Sequence, residues 1–292
     1  MWVYFTLLAA FSQAWRNAFQ SQLSQDVNVV GVTLARFLWA GPLVFLYLVA
    51  LYIFEPAPLP NLSLKFILFV SGAALLQILA TALMVQLFQL NNFAVGAGLA
   101  KSEALVAAIL GTIFFGTNLS WFGWIGVLIG AIAILLMSSR QGMTGLSLKT
   151  LCLGLGSGTC FALTSLWVRE ASLTLDLPVI HRAAWVLLLV ITLQTILLVS
   201  YLLTKDRKTF QLLLSKPRLT FLTSFSSCIG SIGWFSAMAL QSVPYVKTLG
   251  QVEVFFTMLI SYFWLKQPIK MKDSLGLLLI AIAAIMVIWL PS

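Results

Sequence analysis

Histidine is almost missing: one residue, His181, in a chain of 292. That excludes a metal centre or a proton relay built on several imidazoles. Acidic residues are nearly as scarce, 8 against 17 Lys and Arg, and all charged residues together make up 9%. A soluble chain of this size could not cover itself with so little polar surface. The three cysteines, Cys152, Cys160 and Cys228, lie inside apolar runs and read as small buried residues, not as a disulfide or metal framework. No glycine-rich phosphate loop ending in Lys-Ser or Lys-Thr is found, so direct ATP drive has no support, and neither a cofactor nor a metal is expected. No Ser/His/Asp or Cys/His set points to an enzyme. A cleaved leader is not expected, because Gln13, Arg16 and Asn17 interrupt the first apolar run; it reads as a retained membrane helix.

What remains is apolar. The chain is 61% hydrophobic, with a mean hydropathy of +1.02. Runs of the roughly 20 residues that a membrane helix needs fall at about 2–20, 30–54, 64–89, 93–115, 120–138, 149–170, 178–203, 217–240, 244–265 and 272–290. They are too long for barrel strands and do not alternate. Turn chemistry marks the breaks, as in Pro56, Pro58 and Pro60, in Asn91-Asn92, in Gly142 and Gly145, and in Asp176-Leu177-Pro178. The longest connection, Thr204–Lys216, carries Phe210 and Leu212–Leu214 and is expected on the membrane surface.

The formal charge of +9 does not indicate nucleic acid, because the basic residues gather in short loops, where they act as topology signals. Arg140 and Lys149 follow the fifth run; Lys205, Arg207, Lys208, Lys216 and Arg218 follow the seventh; Lys266, Lys270 and Lys272 follow the ninth. The opposite side holds little beyond Lys65, Arg169 and Arg182. This bias puts the three basic loops in the cytoplasm and both termini outside.

One stretch occurs twice, 150 residues apart. Leu90, Leu99 and Glu103 fall on Leu240, Leu249 and Glu253, and Gly126, Leu128 and Ala131–Ala133 fall on Gly276, Leu278 and Ala281–Ala283. At an offset of 146, Arg36 meets Arg182 and Trp39 meets Trp185. The expected architecture is therefore an all-α membrane protein of ten transmembrane helices, in two five-helix repeats over 1–140 and 145–292. An odd number of spans per repeat makes the two copies inverted, with a substrate site between them near mid-membrane.

Each copy of the repeat holds one carboxylate in an apolar run. Such a charge costs about 2.5–3.5 kcal/mol to insert, so it faces a cavity and has a role. Glu103 and Glu253 are candidates for proton coupling or cation recognition. The alternative is structural: Glu103 paired with Lys101 or a neighbouring helix, and Glu253 with Lys247 or Gln251. Lys101 and Glu103 stand two apart and face differently on a continuous helix, whereas Lys247 and Gln251, four apart, share a face. Gln13, Asn17, Gln77 and Gln86 are polar cavity candidates, since buried amides need partners or substrate. Arg16 either binds a substrate anion or snorkels to the interface, and snorkelling is favoured. Arg36 and Arg182 suit a shared packing or gating role. Trp167, Trp234 and Tyr245 either line the cavity or pack as belt aromatics. Gly126-x-x-x-Gly130 and Gly154-x-x-x-Gly158 permit close helix contact.

These residues resemble the drug/metabolite transporter superfamily, specifically ten-helix EamA-type permeases. That family repeats a pattern close to Leu-Glu-Pro-Val-Phe, followed fourteen residues after the Glu by a helix-end Gly-Glu-Arg. Ser102-Glu103-Ala104-Leu105-Val106 and Val252-Glu253-Val254-Phe255-Phe256 match the first part without its proline. Gly116-Thr117-Asn118 and Lys266-Gln267-Pro268 stand where the second part belongs, and Ala35-Arg36-Phe37-Leu38 is similar to the family's second span. The resemblance implies a secondary transporter of the bacterial inner (plasma) membrane, usually an exporter of amino acids or other small metabolites. Its partners would be a small-molecule substrate, the lipid bilayer and protons, with no nucleic acid; monomer and homodimer are both open. The rival readings are an uncoupled uniporter or exchanger and a non-transporting membrane scaffold.

Overall fold

The computed structural model describes residues 1–90, 100–138, 148–263 and 271–289. Asn91, Asn92, Arg140, Gly142, Gly145, Lys266, Gln267, Pro268 and Lys270 lie outside them, so the turn, topology and motif expectations on these residues are not described. The described residues form helices and no strand. The first half contains α1 (Trp2–Leu23), α2 (Val29–Ala35), α3 (Ala40–Phe54), α4 (Leu64–Gln89), α5 (Glu103–Phe114) and α6 (Trp121–Ser138). The second contains α7 (Leu148–Leu173), α8 (Val179–Lys205), α9 (Arg207–Leu214), α10 (Pro217–Leu240), α11 (Val243–Gly250), α12 (Glu253–Phe263) and α13 (Met271–Trp289).

The helix contacts mix many small residues with a bulky apolar core that includes Leu23, Leu34, Phe37 and Phe66, and the exterior is large and apolar. Ala9, Ala10, Ala14, Ala73, Ala74, Ala107, Ala108 and Ala162 are buried, while Phe45, Leu46, Ile53, Phe54, Ile67 and Leu68 are exposed. Contiguous exposure on this scale suits a lipid-facing surface, and small residues let helices approach where apolar burial supplies no drive. Four stretches, Val29–Phe54, Leu64–Gln89, Leu148–Leu173 and Val179–Lys205, are long and apolar enough to cross a membrane. α1 and α10 are of similar length but carry polar residues that face inward: Gln13, Arg16, Asn17 and Ser231.

The three most extensive helix contacts each join one half to the other: α4 with α7, α1 with α10, and α6 with α13. The first two are the same pairing with the halves exchanged, and α5 with α7 answers α1 with α12 in the same way. Glycines bring these helices close. A Cβ on Gly233 would stand 2.7 Å from the Phe5 carbonyl and 2.9 Å from the Ala9 Cβ; one on Gly126 would stand 3.0 Å from Val287.

Three expected continuous runs are not continuous where they are described. The second breaks at Arg36–Trp39 between α2 and α3. Pro42 in the first turn of α3 has no N–H to continue the ladder backwards. Neighbouring helices satisfy the freed groups. The Ser224 hydroxyl donates to the Ala35 carbonyl at 2.6 Å and accepts from the Trp39 N–H at 3.1 Å, and Thr195 donates to the Phe37 carbonyl at 3.3 Å. Turns at Lys101–Ser102 and at Gln251–Val252 lie just before the two repeated glutamates. α5 ends in an αL cap: Gly116 has a φ of 61°, and the Thr117 N–H bonds the Gly111 carbonyl at 3.0 Å.

The Thr204–Lys216 connection forms the amphipathic α9, anchored to the turn after α1. Asn28 caps α2 and donates to Asp206 at 2.8 Å and to Thr209 at 2.7 Å. The Thr209 hydroxyl and N–H hold the Asp206 carboxyl below the usual carboxylate range, and Lys216 pairs with Asp26. His181 is structural, contacting the Glu55 carbonyl at 2.7 Å with Tyr52 edge-on to its ring. Of the three cysteines only Cys228 is buried as expected: Cys160 is half-buried and Cys152 is exposed.

Gly233→Val should lower the melting temperature of the detergent-solubilised protein by the equivalent of about 1–3 kcal/mol, the usual cost of overpacking. Gly41→Ala, whose Cβ has nothing nearer than 3.9 Å, should be neutral or raise it. Equal effects at both sites would refute the close α1–α10 approach.

Candidate functional site

Each repeated glutamate opens a helix after a break, Glu103 at the start of α5 and Glu253 at the start of α12. The N-terminal end of a helix favours a carboxylate, because its first N–H groups lack internal acceptors. The i to i+3 bonds at the turns, Ala104 to Lys101 and Val254 to Gln251, tighten the chain there and aim both side chains at the seam between the halves.

The charges cross that seam. Lys101 of the first half pairs with Glu253 of the second, and Lys247 of the second pairs with Glu103 of the first at 3.1 Å. Glu253 also accepts from Asn17 at 2.8 Å and from Gln13. Gln13 in turn accepts from the Trp234 indole at 2.8 Å, and the Lys247 ammonium sits 4.5 Å from the centre of that ring. Glu103 is 5% exposed and Glu253 2%, so neither carboxylate faces lipid and both are charge-paired.

The pairs border a cavity of about 30 Å³, room for water but not for a metabolite in this conformation. Arg16, Arg36, Gln77, Met84, Phe161 and Ser231 also line it. Arg16 is 3% exposed and donates to the Asn17 amide oxygen at 2.8 Å. Arg36, 2% exposed, donates to Thr81 at 2.7 Å and lies over the rings of Phe37 and Phe161.

The structure brings together Gln13, Arg16, Asn17, Arg36, Gln77, Lys101, Glu103, Trp234, Lys247 and Glu253. Several expectations need correction. Arg16 does not snorkel, because α1 turns its polar side into the cavity. Lys101 comes within 4.0 Å of Glu103 because the backbone between them is a turn, not a helix. Lys247 and Gln251 do not share a helix face, since α11 ends at Gly250. Gln251 packs instead on Gly130, where a Cβ would stand 2.1 Å from its amide oxygen. Arg182 stays outside the cavity while its repeat mate Arg36 enters it, because only Arg36 sits at a helix break. Gln86 is exposed, Trp167 packs against Gly72 and Phe69, and Tyr245 bonds Ser120 at 3.2 Å. The reading of the sequence missed Thr164, Ser165 and Ser231 on the cavity wall; their signal was clustered hydroxyls on the otherwise apolar α7 and α10.

Lys101→Met strands the Glu253 charge and should destabilise the protein by about 3–5 kcal/mol, read as a drop in melting temperature. Adding Glu253→Gln should restore most of it in a double-mutant cycle. Additive losses would show that the pair is not coupled.

A sequence model of the EamA-like transporter family matches twice, over residues 1–139 and 148–289. No curated protein matches. A solved crystal structure superposes with a TM-score of 0.69 over 97% of this chain and 98% of its own, at 14% identity, a likeness of fold. The two family matches cover both halves of the bundle and meet at the seam that holds the crossed ion pairs. The chain therefore belongs to the EamA-like transporter family, within the drug/metabolite transporter superfamily.

Proposed function

We propose that the protein is a secondary active transporter of the bacterial inner membrane that exports amino acids or other small metabolites by alternating access. In this reading its ten spans form two inverted five-helix repeats, 1–140 and 145–292, with both termini outside. The observation that carries it is the polar cavity at the seam, bordered by two helices that start at their glutamates just after a turn. Broken helices around a central site are how two rocking halves present polar groups to a substrate without exposing them to lipid. A cavity of about 30 Å³ suits an occluded state. Glu103 and Glu253 are the coupling candidates, because a proton on either carboxylate dissolves the ion pair that ties one half to the other.

The same ion pairs favour a second reading of the coupling. Each carboxylate already holds a lysine of the opposite half, and a transporter whose glutamates trade that lysine for substrate and not for a proton would be an exchanger that uses no proton gradient.

Reconstitution into proteoliposomes tests both. Counterflow of a labelled amino acid or organic acid should exceed that of empty vesicles. Under proton coupling a pH gradient accelerates it, and Glu103→Gln removes that acceleration. Under exchange the gradient has no effect, and flux requires substrate on both sides. Vesicles that pass no small metabolite under either regime would leave the scaffold reading standing.

A further inference from the structure

The cations and carboxylates at the seam do not balance. Among the described residues that line the cavity, Arg16, Arg36, Lys101 and Lys247 are cationic, and only Glu103 and Glu253 are acidic. Each lysine has its carboxylate. Among the described residues, Arg16 has only the neutral Asn17 amide as its hydrogen-bond partner, and Arg36 has only the Thr81 hydroxyl, with no partner for its Nε–H. A guanidinium keeps its proton in a protein, so both are buried charges with no carboxylate in direct contact, beside two glutamates that are already paired with lysines, an arrangement that is costly unless something else neutralises it. The chain has little to offer: of its eight acidic residues, Asp26, Glu55 and Asp176 are exposed, and no described carboxylate beyond the two glutamates lines the cavity.

We infer that the cavity binds a small organic dianion, a dicarboxylate or a phosphate monoester, whose charged groups pair with Arg16 and Arg36. The planar fork of each guanidinium matches the paired oxygens of either group. Met84, Phe161, Val168, Phe235 and Met238 also line the cavity and would face a short apolar body once the halves part to admit it. This narrows the substrate class of the proposed transport site and rests on that reading for its biological meaning, but binding itself is measured without transport.

The purified full-length protein in detergent at low chloride is titrated calorimetrically with succinate, glycerol 3-phosphate, inorganic phosphate and succinamide, the last a neutral isostere of succinate. At least one dianion should bind about tenfold or more tightly than succinamide, a gap of about 1.4 kcal/mol; the stronger of the carboxylate and phosphate arms identifies the headgroup. Arg16→Gln and Arg36→Gln should each weaken that dianion about tenfold or more and leave the succinamide signal unchanged. Arg16→Lys and Arg36→Lys, which keep the charge but lose the fork, should retain part of the affinity and serve as the test if the glutamine variants do not fold. Equal binding of succinamide, an equal response to chloride alone, or no dianion binding would overturn the inference. Dianion binding without flux in vesicles would sink the transport proposal and leave the inference intact. Flux of neutral amino acids without dianion binding would do the reverse.

Discussion

A carboxylate buried among apolar helices needs a cation close by, and here each glutamate takes its cation from the opposite half. Lys101 reaches Glu253 and Lys247 reaches Glu103, so the shortest ion pair of each glutamate ties one half to the other. The rest of the interior follows from this exchange. The helices must break beside the glutamates to turn both side chains inward. Gln13 and Asn17 must face the seam to complete the Glu253 shell. Removing a single partner leaves an unpaired charge in a low-dielectric interior, which is the costly way to alter such a pair.

The same arrangement explains why a chain this apolar keeps polar groups at its centre. Exposed Phe, Leu and Ile face outward, and Ala, Gly, Ser and Thr share the helix contacts with a core of Leu, Val, Ile and Phe. Gly233 against Phe5 and Ala9, and Gly126 against Val287, let cross-half helices approach closely. Irregular backbone survives only where other helices answer its donors and acceptors, as Ser224 and Thr195 do at the break before α3. Arg36 owes its inward position to that break.

Two carboxylates and four cations border one cavity, so a charge brought to it acts on all of them. The crossed ion pairs tie the halves together. A ligand that supplied negative charge to Arg16 and Arg36, or a proton that discharged a glutamate, would alter the balance that holds the seam shut. Under the proposed transport, substrate and coupling ion would act through one electrostatic network.

Much of this was legible in the sequence. Scarce charge and long apolar runs required a membrane bundle, because such a chain cannot cover itself with polar surface. The 150-residue offset paired Glu103 with Glu253 and divided the chain into halves, since an internal duplication keeps its spacing. Gln13, Asn17 and Gln77 were recognisable as inward-facing because a buried amide must find a partner. Which cation met which carboxylate was not legible: that depends on helices more than a hundred residues apart. Periodicity assumed continuous helices, so it kept Lys101 and Glu103 apart, put Gln251 beside Lys247, let Arg16 snorkel and treated Arg36 and Arg182 alike. Only the tertiary structure decided these, because the turns before the glutamates and the break after Ala35 depend on hydrogen bonds and charges supplied by neighbouring helices.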